Sequence, residues 1–461
     1  MKKNLILYLI FLSVCVSGFS QEKPPEGGEP KDFTVPPSQV FELKNGFVVT
    51  LVPYSNLPKV TARLVVRAGN INEKENQVWL ADLMGDLIKE GTKTRTAEQI
   101  AQEAAAMGGS VNVGVGLDQS TFNGDVLSEY ASDLIRLIGD IAMHPSFPAS
   151  ELDRLKKDRI RTLSLQKSQP QSIALAKFRS LLHGNHPYGR IFPTEEMINS
   201  YTIDDVKNFY LDNFNATRSH LYISGKFDAK RVRETCEAVF SSWNKGSEAI
   251  ILPVEAKSSK EIHLIDRPDA QQSTIYMGLP VVDPSHEDYI PLLVTNALLG
   301  GSFSSRIVSN IREDKGYTYS PNSSVSSRYR DAYWVQVADV TTNVTGASLS
   351  EIFKEIDLLQ REAPSAEELK GIQNYMAGIF VLQNSSRSGL IGQLSYINLH
   401  ELDPKYLETY VKKIYAVTPE DIQRIAKKYI DDDRMTIVIA GDVKKIRNQV
   451  KEFGKVNLPL N

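Results

Sequence analysis

The sequence lacks several features that would indicate common classes of protein. Only two of its 461 residues are cysteines, too few for a disulfide framework or a structural zinc knot. Basic residues do not exceed acidic ones, at 53 against 56, so nothing favours a nucleic-acid partner. Beyond the N-terminus, no apolar run is long enough to cross a bilayer. The His-Glu-x-x-His and Gly-x-Ser-x-Gly motifs are also absent, so two common hydrolase signatures are unmatched.

The first twenty residues have the pattern of a secretory signal peptide. Two lysines precede an apolar run over residues 5–16, and small residues follow up to a cleavage point before Gln21. We therefore expect export to a bacterial periplasm. A buried N-terminal helix is one alternative, and a transmembrane anchor is a second, although the apolar run is short for it. Lipidation of Cys15 is another, although Val14 stands where a small residue is required.

Alternating and helical patterns of apolar residues predict an α+β fold. Residues 41–51 form two strand-like runs around an Asn-Gly pair, which is a strong β-hairpin signal. Residues 60–66 and 111–117 alternate as half-buried strands do, whereas residues 79–90 repeat their apolar side chains at helical spacing. A capping box at Thr96 opens a further helix.

An internal repeat indicates that the chain consists of two related halves. Residues 202–206 match residues 418–422, and each segment opens a helix with a threonine cap and early acids. Two further matches, one upstream and one in the strand that follows, share the offset of 216 residues that separates Thr202 from Thr418. Because three matches in one register do not arise easily by chance, we interpret them as a duplication.

We predict two tandem homologous domains, each a mostly antiparallel sheet covered by helices, which together could enclose a binding cavity. Cys236, the one cysteine left after signal cleavage, is predicted to be a buried small hydrophobe. The predicted segments are a signal peptide (1–20), a Pro-rich linker (21–38), an N-terminal domain (39–245), an interdomain linker (246–260) and a C-terminal domain (261–461).

Residues 79–92 resemble the zinc-site helix of the pitrilysin/insulinase group of metallopeptidases, the inverzincins, which includes the mitochondrial processing peptidase. The signature of that group is His-x-x-Glu-His followed by an apolar stretch and Gly-Thr. When the Gly-Thr pairs are aligned, the two histidines fall on Asp82 and Asp86, and the glutamate falls on Gly85. The resemblance places the third zinc ligand at Thr162, and it implies the LuxS/processing-peptidase type of fold.

These four positions lack the side chains that the zinc chemistry needs. Histidine supplies a neutral nitrogen ligand, and the glutamate takes a proton from the zinc-bound water. We therefore expect a degenerate site, with no metal and no catalytic residue on this chain. Asp82 and Asp86, with Glu90, could form a solvated acidic face, meet a basic partner surface, or hold a hard cation such as Mg²⁺.

Residues 298–320 resemble the family's glycine/serine loop, a helix, and the pattern Arg-Glu-x-x-Gly-x-x-Tyr-Ser. Arg312 and Tyr319 match the family's substrate-binding arginine and tyrosine. The resemblance implies that this pair holds the substrate backbone and stabilises the tetrahedral oxyanion. The alternative is that Arg312 pairs with an acid such as Glu313 while Tyr319 belongs to the core. Gly300-Gly301 predicts a turn, and the serines that follow predict a helix cap.

The pattern as a whole shows the zinc machinery lost and the arginine/tyrosine pair retained. Some bacterial members of the family divide these two functions between subunits. We therefore expect the non-catalytic, substrate-binding subunit of a periplasmic heterodimer, whose His-x-x-Glu-His partner holds the zinc. The substrate would be an extended peptide, added to a sheet edge. Two alternatives are a non-enzymatic scaffold or peptide-binding protein of the same fold, and an active metallopeptidase with a non-standard metal site.

Overall fold

A computed structural model describes residues 33–458 of the chain. The predicted signal peptide (1–20), including Cys15, lies outside that range, as do residues 21–32 of the predicted linker. Residues 33–458 belong to one compact unit. In this part of the chain, none of the helices combines the length and the apolar composition needed to cross a membrane.

Within the described residues, twelve strands form two mixed but mostly antiparallel sheets of six. The first sheet contains β1 (Gln39–Glu42), β2 (Val48–Pro53), β3 (Lys59–Val66), β4 (Ser110–Val115), β5 (Ser120–Leu127) and β6 (Ser219–Gly225). The second contains β7 (Glu261–Asp266), β8 (Gln272–Val281), β9 (Asn322–Arg328), β10 (Asp331–Thr341), β11 (Thr436–Gly441) and β12 (Lys455–Asn457). No strand or helix lies in residues 244–259, between the two sheets.

Helices connect these strands in both halves. Those of the first half are α1 (Leu80–Leu87), α2 (Ala97–Ala106), α3 (Ala131–Met143), α4 (Ala149–Ser168), α5 (Pro170–His183), α6 (Glu195–Ser200), α7 (Ile203–Asn213) and α8 (Ala229–Phe240). Those of the second half are α9 (Tyr289–Asn296), α10 (Arg306–Val308), α11 (Thr345–Arg361), α12 (Ala366–Asn384), α13 (Arg387–His400), α14 (Tyr406–Ala416), α15 (Pro419–Tyr429) and α16 (Val443–Val450).

The two halves share one topology, which agrees with the predicted duplication. The strand orders are β1-β2-β6-β3-β5-β4 and β12-β7-β11-β8-β10-β9, so five of the six positions correspond in sequence order. An offset of 216 residues carries α7 onto α15 from first residue to last. Both helices begin with a capping box, formed by Thr202 with Asp205 and by Thr418 with Asp421. The predicted α+β fold with two related sheets is confirmed.

Local predictions also hold in the first half. The Asn-Gly pair joins β1 to β2 in an antiparallel hairpin, and Gly46 takes a positive φ of 86°. Strand β3 is more deeply buried than its alternating pattern predicts, because helices cover both faces of its sheet. Cys236 on α8 is fully buried in the core, as predicted.

Each half contributes one helix to the other half's sheet. Helix α5, from the first half, packs on the second sheet, where the ring of Phe178 lies 6.2 Å from that of Tyr276 and 5.5 Å from that of Tyr333. In the reciprocal arrangement, α13 places Ile391 against Val65 and Tyr222 of the first sheet. The two halves therefore share buried apolar surface.

Candidate functional site

Helix α1 carries two of the three positions where the resemblance places zinc ligands, and a buried acid binds its first turn. The carboxylate of Glu73 accepts hydrogen bonds from the Ala81 backbone N–H (2.9 Å) and from the Asn70 side chain (3.1 Å). The first of these satisfies a free N–H in the opening turn of the helix. Burial, reinforced by the nearby charge of Asp82, raises the pKa of Glu73 to about 8. The sequence patterns did not single out Glu73, whose partner is eight residues away.

The acidic stripe of α1 faces arginines of α4 and is not the solvated face considered above. The guanidinium of Arg159 donates to Asp82 Oδ1 at 3.2 Å and to Asp86 Oδ2 at 2.7 Å. It also donates to the Asp82 backbone oxygen at 3.0 Å. In the 3-10 turn that follows α1, Glu90 pairs with Arg154 at 2.7 Å. Burial raises the pKa of Asp82 despite its ion pair with Arg159.

The residues present do not fit a zinc ion. A guanidinium charge already lies between the two carboxylates, so it would repel a second cation there. Thr162 lies one turn beyond Arg159 on α4, and its hydroxyl donates to the backbone oxygen of Asp158 at 2.9 Å. In residues 33–458, no three His, Cys, Asp or Glu side chains are grouped as metal ligands would be. The site could not perform the family's metal chemistry with these side chains.

The position of the family's general base is closed by packing. Gly85 lies where α1 meets the edge strand β4, and a Cβ atom there would come within 2.5 Å of Val115 Cγ2. A glutamate at this position would therefore require Val115 to move. The absence of a side chain at Gly85 lets the helix and the edge strand approach closely, which removes the space that a catalytic carboxylate would need.

Arg312 and Tyr319 meet at the surface of the second half. Arg312 lies in a π-helical turn, Ser309–Asp314, and Gly316 (φ +65°) reverses the chain after it. The segment then pairs with β10, because Thr318 bridges to Val340. This brings the Tyr319 ring to 5.2 Å from Arg312 Cζ while 81% of Tyr319 stays exposed. Tyr319 is therefore not a core residue, contrary to the alternative considered above.

A second aromatic ring completes this cluster. The ring of Phe303 lies 4.4 Å from Arg312 Cζ, and Phe303 is 68% exposed. We call Phe303, Arg312 and Tyr319 the arginine cluster. Arg312 does form an ion pair with Glu313, at 3.3 Å, as the alternative considered above expected, and 56% of the Glu313 side chain is exposed. Phe303 was not predicted as a site residue, although an apolar residue between serines in a glycine/serine loop is a signal that could have identified it.

The glycine/serine loop differs from its prediction. Gly300 and Gly301 do not form a turn. They end a π-helical segment, Ala297–Gly301, that continues α9. Glycine is required because a Cβ on Gly300 would lie 2.6 Å from Ser323 Oγ. Ser305 does occupy the N-cap of α10, but its side chain makes no capping hydrogen bond. The predicted turn and side-chain cap are therefore wrong.

The predicted site residues form two separate groups. Asp82, Gly85 and Asp86 lie on α1 beside α4, which carries Thr162, and all four belong to the first half. The arginine cluster belongs to the second half. Among residues 33–458, no hydrogen bond or ion pair links the predicted residues of one group to those of the other.

The chain has two related halves, and the helix that corresponds to the family's zinc site lacks zinc ligands. These features define a class, the peptidase-like proteins without the metal-binding residues of their relatives. Two family models match the chain: "Insulinase (Peptidase family M16)" over residues 49–192 and "Peptidase M16 inactive domain" over residues 200–376. Together they cover more than half of the sequence. The chain belongs to peptidase family M16.

Relatives of known sequence and structure agree with this assignment. An "Uncharacterized zinc protease YmxG" of Bacillus subtilis is 24% identical over 403 residues, which cover 87% of this chain and 97% of that protein. A "Non-peptidase homolog YmxG" of Helicobacter pylori is 23% identical, and the match covers 84% of this chain and 90% of that protein.

Two solved structures share the fold. One is a peptidase M16 inactive domain from Pseudomonas fluorescens, with a TM-score of 0.82, 23% identity and coverage of 88% of this chain and 98% of that one. The other is a protease from Helicobacter pylori, with a TM-score of 0.82 and 19% identity. The match covers 88% of this chain and 100% of that one.

Proposed function

We propose that this chain is the substrate-binding, non-catalytic subunit of a two-subunit zinc peptidase. Its partner would be a homologue with an intact His-x-x-Glu-His motif, which would hold the zinc ion and the general base. The proposal rests on a difference between two arginines of this chain. Arg159 is held by both acids at the former zinc positions, whereas Arg312, 24% exposed, lies between two exposed rings and, among residues 33–458, pairs only with the exposed Glu313.

The arginine cluster has the chemistry to hold a peptide backbone. Guanidinium N–H groups donate to carbonyl oxygens and remain charged at all physiological pH values. The phenol of Tyr319 is a second donor. In the assembled enzyme, Arg312 and Tyr319 would stabilise the oxyanion that forms at the partner's zinc site. Phe303 supports this role, because its ring limits the directions in which Arg312 can point.

An edge strand supports an extended mode of peptide binding. In the described part of the chain, β4 pairs with β5 on one side only, so its other edge carries free backbone N–H and C=O groups. Such an edge can accept a peptide as an additional strand. Strand β4 packs beside α1, the helix that corresponds to the zinc-site helix of the family. The peptide would therefore run along β4, towards the partner's active site.

The predicted cellular location remains part of this proposal. The N-terminal pattern of residues 1–20 supports export to the periplasm, where the partner subunit would also be located. Detection of the mature chain in a periplasmic fraction, with a mass that corresponds to cleavage before Gln21, would test it. A mass that retains lipid on Cys15 would favour the lipoprotein alternative.

The decisive test of the function uses the purified chain with and without a His-x-x-Glu-His homologue. We expect the chain alone to cleave no peptide, and the mixture to cleave peptides with zinc bound only to the partner. Arg312→Ala should lower kcat of the complex by roughly 10²- to 10³-fold, since one oxyanion donor is lost. Tyr319→Phe should have a smaller effect because the ring remains.

Lys315→Ala is the matched control for Arg312→Ala. Lys315 is three residues away and makes a surface pair with Glu351 at 3.6 Å. Its removal should leave kcat within about twofold, as expected for a surface pair of this kind. Zinc-dependent cleavage by this chain alone would contradict the proposal. Equal effects of the Lys315 and Arg312 variants would show that the arginine cluster has no specific role.

A further inference from the structure

A cavity of about 440 Å³ opens in the second half between α9, α12, α13 and α14. This volume lies in the range of small-ligand pockets. Four of its lining residues are tyrosines: Tyr375, Tyr396, Tyr406 and Tyr410. Among the described residues that line it, none is Asp, Glu, Lys or Arg. The cavity therefore differs in chemistry from the charged former zinc site in the first half.

The uncharged lining of the cavity determines which kind of chemical group it can bind. A charged group would lose hydration on entry and find no ion partner, whereas an aromatic or aliphatic group would gain from leaving water. Burial raises the pKa of Tyr410 to about 12, so this phenol is neutral at physiological pH. The rings favour a planar apolar guest, through edge-to-face and offset contacts.

One aromatic side chain of the chain itself already docks beside the cavity. The ring of Phe33 meets Phe380 edge-on, with 5.3 Å between ring centroids. Phe380 lines the cavity and stacks on Tyr410 at 4.6 Å. The same group of rings therefore accepts an aromatic side chain from a segment that is distant in sequence.

A short segment of chain connects the lining of the cavity to the arginine cluster. Gly301 lines the cavity, and Phe303 of the arginine cluster follows two residues later. Ser302, between them, is extended, with φ −126° and ψ 162°. Two residues of extended chain span roughly 7 Å, which is also the distance between alternate side chains of an extended peptide. A peptide that reaches Arg312 could therefore place a nearby side chain in the cavity.

We propose that this cavity binds an uncharged aromatic side chain of the peptide that the arginine cluster holds. The inference rests on the proposed peptide-binding function, and it adds a preference for substrates with an aromatic residue close to the bound segment. The cavity lies beside α9 and α12, which have the same positions in the element order of the second half as α1 and α4 have in the first. After the duplication, the second copy of the site would have become a specificity pocket.

The test uses two labelled, end-capped dodecapeptides of serine and glutamine, one with a central Phe and the other with a central Ser. Their affinities for the full mature chain are measured by fluorescence anisotropy. We expect the Phe peptide to bind about tenfold more tightly, or more, because one aromatic side chain leaves water. The double variant Tyr375→Ala/Ile379→Ala should abolish the difference. Leu382→Ala is the matched control, since Leu382 is an exposed apolar residue of α12 outside the cavity lining, and it should preserve the difference.

The outcomes separate this inference from the function on which it rests. If Arg312→Ala weakens both peptides but the parent chain binds them equally, the pocket is refuted and the peptide-binding role stands. If Arg312→Ala changes neither affinity, the proposed function fails. In that case, saturation-transfer NMR measures whether free N-acetyl-phenylalaninamide binds to the chain, which tests the pocket by itself. Binding that the Tyr375/Ile379 variant loses would support the pocket, and absence of binding to the parent chain would overturn it.

Discussion

A single arginine decides the character of the former zinc site. Arg159 contacts both aspartates of α1 through one guanidinium, and its side chain is only 19% exposed. A fixed positive charge thus lies between Asp82 and Asp86, where the aligned motif would hold a cation. This arrangement stabilises the packing of α4 on α1 without any metal, because half-buried carboxylates need a counter-charge.

Arg159→Ala should lower the free energy of unfolding by about 1–3 kcal/mol, because two half-buried carboxylates lose their charged donor. The shift is measurable as a lower urea midpoint. The matched control is Arg161→Ala, since the Arg161 side chain is 75% exposed and its ion pair with Asp158 spans 3.5 Å. It should change stability by less than about 0.5 kcal/mol. Equal losses in the two variants would contradict the role of Arg159.

Glu73 makes the stability of the chain depend on pH. Its pKa in the folded state, about 8, lies above the ordinary 4.5, so the folded chain holds the proton more tightly. The contribution of protonated Glu73 to stability is therefore complete below about pH 4.5 and is lost as the pH rises through 8. The buried position, close to Asp82, is the physical cause.

Glu73→Gln should remove this dependence, because the amide keeps an acceptor for the Ala81 N–H and does not ionise. The stability of the variant relative to the parent should rise between about pH 5 and about pH 9, by about 1.4 kcal/mol for each pKa unit of the shift. Chemical unfolding at the two pH values measures it. The control is Glu75→Gln, at an exposed position two residues away. Parallel pH curves for parent and Glu73→Gln would refute the prediction.

At the level of secondary structure, two corresponding helices, one in each half, begin with the same capping interactions. Thr202 and Thr418 each accept the N–H of the aspartate three residues later, at 3.2 and 3.1 Å. In each case the aspartate accepts the threonine N–H in return. Both boxes are exposed, so the two halves have kept the same local signal for starting a helix.

Thr202→Ala and Thr418→Ala should each lower the free energy of unfolding by about 1 kcal/mol, because one helix N–H loses its acceptor. The two effects should be nearly equal, and additive in the double variant, since the helices lie in different halves. Denaturant titration measures them. Serine at either position should restore most of the loss. A large effect at one cap with none at the other would contradict the equivalence of the two helices.

At the level of the whole molecule, the two halves are held together by the exchange of α5 and α13. Each helix buries apolar side chains against the sheet of the opposite half. Arg387 on α13 adds hydrogen bonds to Asp125 at 3.0 Å and to Thr61 at 3.1 Å in the first half. Because one face of each sheet packs against a helix of the other half, we expect the halves to unfold together.

Phe178→Ala should destabilise the entire chain by about 3–5 kcal/mol, because a fully buried ring is lost between the halves. The loss should appear as one unfolding transition at lower denaturant, with coincident near- and far-ultraviolet circular dichroism. Phe303→Ala is chemically matched but exposed, and its effect on stability should be small. Two separate transitions, with only the first half affected by Phe178→Ala, would disprove this coupling.

The sequence predicted those parts of the fold that local chemistry determines. The hairpin at Gly46, the capping boxes and the repeat follow from neighbouring residues, and the structure contains them. The sequence did not predict the partner of Asp82, because Arg159 is 77 residues away. The π-helical segment that ends at Gly301 was also missed, since the strand that requires glycine at position 300 follows later in the chain.

The sequence by itself determined that the aligned zinc positions carry Asp82, Gly85, Asp86 and Thr162, because ligand chemistry is a property of each side chain. It likewise determined that the chain is duplicated. Only the tertiary structure decided what fills the vacant site and which rings surround Arg312. Ion pairs and ring contacts depend on how distant segments pack, and that packing brings Arg159 to α1 and leaves Tyr319 at the surface.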